Sequence, residues 1–161
     1  MQFGFVIPTG DVDTVLEMSV ELEQAGMSAP SMPASRKSVR SRLARSAQSP
    51  SPPIWAVAQV GSERSMARAP RCDGVLPFRR TSRDPFAALE PDDVRELRRL
   101  RPDAGWDIVL EGSSNPDDAV SMTRVAALRD AGASWWIESP WNLPGGIEAA
   151  RARGREGPPP V

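Results

Sequence analysis

Five apolar runs recur along this chain of 161 residues, and a stretch with helical spacing follows each. They are QFGFVI (2–7), IWAVA (54–58), GVLP (74–77), WDIVLEG (106–112) and SWWIES (134–139). Most of these runs are nearly continuous rather than alternating, as expected of strands buried on both faces of a parallel sheet. Regular alternation of strands with helices predicts an α/β fold built from βαβ units. From Ile54 onward the runs start roughly 20–35 residues apart, close to the size of one such unit. A closed eight-stranded barrel takes about 250 residues and seldom fewer than about 200. The expectation is therefore an incomplete parallel TIM-type β/α barrel with about five of eight βα units. Because a barrel joins its ends, the first strand should pair beside the last.

Local punctuation supports the same reading. Asp11 or Asp13 can cap a first helix whose apolar stripe is Val15, Leu16, Met18, Val20 and Leu22, and Gly26 sits where a C-terminal glycine ends it. Pro91 followed by Asp92 and Asp93 opens another helix, with proline in the first turn and acids at the positive helix end. Asn115-Pro116-Asp117-Asp118 predicts a further start, with Asn115 as the cap. Trp135 and Trp136 should point to opposite faces of their strand. The final helix, led by Gly145-Gly146, should fray near Gly154.

Residues 28–50 (SAPSMPASRKSVRSRLARSAQSP) break the pattern, with few large apolar side chains and no acid. Their Ser, Pro, Ala and Arg content predicts a disordered linker. The organisation expected is a first βα unit over 1–27, a basic linker over 28–53, further βα units over 54–157 and a tail over 158–161. The basic run Arg36, Lys37, Arg40, Arg42 and Arg45 could also tether an anionic surface. It has no aromatic residue for stacking on bases, so nucleic-acid binding ranks lowest.

Absences narrow the chemistry further. The chain has no histidine and no tyrosine, which excludes Ser-His-Asp triads, Cys-His dyads and His-bearing zinc sites. No metal site is expected. Acid–base work at neutral pH falls to Asp, Glu, Lys, Cys72 or a cofactor. A single cysteine, no apolar run long enough to span a bilayer and no signal-like start suit a cytoplasmic protein without a membrane partner.

At IWAVA…SMARAPRCDGVLP (54–77) and GASWWIESPWNLPGG (132–146) the chain resembles the luciferase-like flavin-dependent oxidoreductases. QFGFVIP resembles that family's first strand, Arg71-Cys72-Asp73-Gly74 its R-x-D-G, and Trp135–Ser139 its last strand. The resemblance spans residues 1–26 and about 54–157. It implies a TIM barrel, an FMN or deazaflavin cofactor, a small organic substrate and monooxygenation or hydride transfer. It also implies that the second to fourth strands are missing. The loop that meets the flavin phosphate would correspond to Ala58-Gln59.

Barrel active sites lie at the C-terminal strand ends. Here those positions are Thr9, Asp11, Ala58, Gln59, Arg79, Arg80, Glu111, Ser113, Glu138 and Trp141. Glu111 and Glu138 end successive strands and are the candidate acid–base pair, with mutual proximity expected to raise one pKa. Ala58, Gln59, Arg79 and Arg80 are the candidate cofactor contacts, the arginines as phosphate ligands. Each could instead serve only to hold the rim together. Two further readings are a non-catalytic barrel remnant acting as an interaction module, and a homo-oligomer formed through an exposed sheet edge.

Overall fold

The computed structural model describes residues 1–7, 12–27, 53–139 and 144–161. The basic segment 28–50, together with Thr9, Asp11 and Trp141, lies outside the described residues. The described residues form five strands: β1 (Gln2–Phe5), β2 (Trp55–Gln59), β3 (Gly74–Phe78), β4 (Asp107–Gly112) and β5 (Trp135–Glu138). The helices are α1 (Val12–Gln24), α2 (Glu63–Met66), α3 (Pro91–Leu100), α4 (Ala119–Asp130) and α5 (Gly146–Arg155), with a 3₁₀ turn at Ala69–Arg71. The strands form one all-parallel sheet in the order β1-β5-β4-β3-β2. First and last strands pair as expected, Gln2 beside Trp135 through Phe5 beside Glu138.

Register and alternation together sort the side chains onto two faces. Ala56, Ala58, Val75, Ile108, Leu110 and Trp136 share one face and pack with Val94 and Leu97 of α3 and Val125 and Leu128 of α4. On the same side, Phe5 packs with Met18 and Leu22 of α1 and Ala150 of α5. The opposite face holds Trp55, Val109 and Ile137, with Val6, Leu76 and Trp135 packed around them and no helix among the described residues. A doubly wound sheet carries helices on both faces. Here the described helices cover one, so the two tryptophans part as expected, Trp136 beneath helices and Trp135 against Trp55 with ring centroids 5.5 Å apart.

Helix starts depart from the sequence reading at one site. Asn115 does not cap α4; its Oδ1 accepts from Asp117 N–H in a local turn. Asp118 is the cap, its carboxylate accepting from the N–H groups of Val120 and Ser121. For α3 the proline and acids act as read, and Glu90 and Asp93 form a reciprocal capping box. Gly26 ends α1 with φ of 85°.

The expected fray at Gly154 does not occur, because α5 runs to Arg155. A Cβ at Gly154 would meet Leu22 Cδ2 at 2.6 Å, so glycine is what allows α5 to lie close on α1. The chain then continues past the helix with Gly157 and Pro159 buried. No helix among the described residues is long and apolar enough to cross a membrane.

Ion pairs line the α1–α5 seam. Arg155 donates to both carboxylate oxygens of Glu21, and Arg151 to Glu17 at 2.9 Å. The hydrogen bond from Arg155 outweighs partial desolvation and, with the charges of Arg155 and Arg151, holds Glu21 below its ordinary pKa. The same pairing raises Arg155 above its ordinary value. A carboxylate depressed in the folded state contributes stability above its unfolded pKa and loses it as pH falls through the folded one. Stability should therefore drop on acidification below about pH 4.5, the ordinary value for this group. The Glu21→Gln variant should show a shallower drop over the same window in urea titrations at stepped pH.

Candidate functional site

Glu138 is the most enclosed of the sequence-predicted charged residues among those described, at 1% exposure. Its Oε1 accepts from Ser114 N–H at 2.6 Å. Its Oε2 accepts from Ser114 Oγ at 2.6 Å, Trp136 Nε1 at 3.1 Å and Arg153 Nη2 at 3.2 Å. Arg153 in turn donates to the carbonyl of Gly157 at 2.9 Å and to Ser114 Oγ at 2.9 Å. Buried charges persist when paired and fully hydrogen-bonded, and this cluster meets that condition. It ties α5 and the chain beyond it to the ends of β4 and β5. Sequence reading missed Arg153 and Ser114, because Arg-Ala-Arg-Gly-Arg looks like a solvated helix end. The one available signal was Gly154, the small residue that lets this turn approach its neighbour.

Glu111 does not join Glu138. In the ladder Glu111 lies opposite Ile137, while Glu138 lies opposite Gly112. Side chains alternate, so the two acids project to opposite faces of the sheet. The expected pair that would raise one pKa is thus not formed. Glu111 is exposed, and its Oε1 accepts from Ser139 Oγ.

The predicted cofactor contacts also divide. Ala58 is fully buried on the helix-covered face. The backbone N–H of Gln59 donates to Ser65 Oγ at 2.8 Å. Arg79 is bound to the buried carboxylate of Asp93, whose other oxygen accepts from Glu90 N–H at 2.8 Å. Arg80 is exposed and has no ion pair or side-chain hydrogen bond among the described residues. Of four predicted contacts, Arg80 alone is open. Among the described residues no group of three Cys, Asp or Glu converges as metal ligands would.

A cleft of about 490 Å³ opens at the C-terminal ends of β3 and β4, between the loop after β3 and helix α4. Phe78, Phe86, Leu89, Leu110 and Leu128 supply much of its apolar wall, and Glu111, Ser113, Arg124 and Ser139 its polar groups. A Cβ at Gly112 would meet Trp136 Cη2 at 2.6 Å, so the glycine leaves room for the indole that forms part of the wall. Ser113 was among the strand-end candidates; Arg124, set on a helix, was not. No model of a known protein family matches the chain, and no curated protein is significantly similar to it.

Proposed function

We propose that the chain is a partial luciferase-like barrel, of a family that uses flavin or deazaflavin for oxidoreduction, and that alone it turns over little or nothing. The observation that carries the barrel part of this reading is the one-sided parallel sheet, with its first strand laid against its last and its helices on one face. Reduced activity follows from the strand-end groups. Glu138 is committed to Arg153, Arg79 to Asp93 and Gln59 N–H to Ser65. The described residues do not fit a phosphate cradle, so any flavin-type molecule would be held weakly, with Arg80 the one exposed residue of the four predicted contacts. Catalysis by such cofactors needs a site that positions reactants and excludes water. The described residues form an open five-stranded sheet, which supplies neither. The experiment is the visible absorbance of the purified protein, where no stoichiometric flavin or deazaflavin band is expected.

A second reading, an interaction module, is favoured by the face that carries no helix. Val57 on that face is 41% exposed and Leu76 and Trp135 are half-buried, whereas Trp55, Val109 and Ile137 are buried. Exposed apolar surface of this kind marks association sites. Self-association is expected to rise with concentration in sedimentation velocity, and Val57→Lys should weaken it. A monodisperse monomer at high concentration would remove this reading.

A further inference from the structure

We infer that the cleft between the ends of β3 and β4, the 79–90 loop and α4 binds a flat apolar carboxylate. At about 490 Å³ the cleft falls within the roughly 300–1,000 Å³ of small-molecule sites. Its walls make two distinct chemical demands.

The first demand is for a flat apolar body. Phe78, Leu89, Leu110 and Leu128 line the cleft, and Phe86 stands at its mouth with 79% of its surface exposed. Its N–H donates to Asp84 Oδ1 at 2.8 Å. A solvated phenyl ring gains by stacking against a planar ligand, because both then lose apolar contact with water.

The second demand is for a negative charge. Arg124 reaches the cleft from α4 with a single hydrogen bond at 3.4 Å to the carbonyl of Leu89, and no carboxylate partner among the described residues. A guanidinium with donors to spare holds a carboxylate in bidentate fashion. Glu111, whose Oε1 accepts from Ser139 Oγ, is the carboxylate of the lining, so Arg124 is the lining group that attracts an anion. The inference needs no flavin, so it stands or falls apart from the oxidoreductase reading.

Three fluorescent probes test it on the full chain: 6-hydroxy-2-naphthoate, 2-naphthoate and 2-naphthol, followed by anisotropy. Both acids should bind, and 2-naphthol about tenfold or more weaker than either, as loss of a charged hydrogen bond implies. Arg124→Gln should abolish the preference for the acids and leave 2-naphthol binding unchanged. Phe86→Ala should weaken all three by similar factors. Both residues are exposed, and unchanged tryptophan emission verifies that the variants fold. Failure of all three probes to bind would overturn the inference, as would equal binding of acid and alcohol by the unaltered protein. So would a carboxylate preference that survives Arg124→Gln.

Discussion

Replacing Glu138 with alanine should cost about 3–5 kcal/mol, the usual penalty for leaving a buried charge without its partner. The charge stranded is that of Arg153, whose side chain is 9% exposed and has Glu138 as its buried counter-ion. Ser114 and the Trp136 indole would also lose their acceptor. A domain of this size has about 5–15 kcal/mol in total, so the variant should lie near the edge of folding. The urea midpoint is the measure. Arg153→Met should be similarly damaging, and Glu138→Met combined with Arg153→Met should cost less than the two single changes added together, because the pair acts as one unit. Independent, additive losses below about 1 kcal/mol each would show that solvent reaches the pair.

Trp106→Ala should be comparably severe for a different reason. Trp106 is fully buried and packs in the cluster formed by the helix-covered face, α3 and α4. Its Nε1 reaches the Ala69 carbonyl only at 3.4 Å, so its contribution is chiefly one of volume. Truncating a buried tryptophan costs about 3–5 kcal/mol through lost transfer energy and the cavity left behind. For a chain of this length that corresponds to a fall of roughly 6–20 °C in Tm. Trp106→Phe should recover much of the loss. Arg98 grips the same corner, donating to the carbonyls of Trp106 at 2.8 Å and Gly132 at 2.7 Å, and so holds the chain on either side of the cavity.

Which parts of this molecule could be read from sequence follows from the range of the interactions involved. Strands and most helix ends are set within a few residues. IWAVA, WDIVLEG and SWWIES became β2, β4 and β5, and Pro91 and Gly26 mark the start of α3 and the end of α1. The α4 cap was misplaced by three residues because two plausible caps, Asn115 and Asp118, stand in one turn. Asn115 is drawn into its own loop by Asp117. The relation between Glu111 and Glu138 was out of reach for another reason. Which residue of β5 faces Glu111 depends on register, and a slip of one residue moves every side chain to the other face. Arg153 was hidden for a similar reason. Its burial depends on Leu22, some 130 residues earlier in the chain, which lies close enough to Gly154 for α5 to settle against α1.

The open groups at the strand ends place limits on chemistry that the fold alone does not. Arg80, Glu111, Ser113 and Arg124 are exposed, whereas Glu138, Arg79 and the Gln59 amide serve the architecture. Three of the groups at which the family resemblance places site residues are therefore engaged within the fold.

Titration of the protein with FMN and with deazaflavin, followed by stopped-flow reduction with a nicotinamide donor, tests the central claim most directly. Weak or absent binding, with no substrate-dependent oxidation of reduced cofactor, is the predicted result. Tight stoichiometric binding with coupled turnover would contradict it, and would show that the described strand ends build a competent site despite the groups they commit to structure.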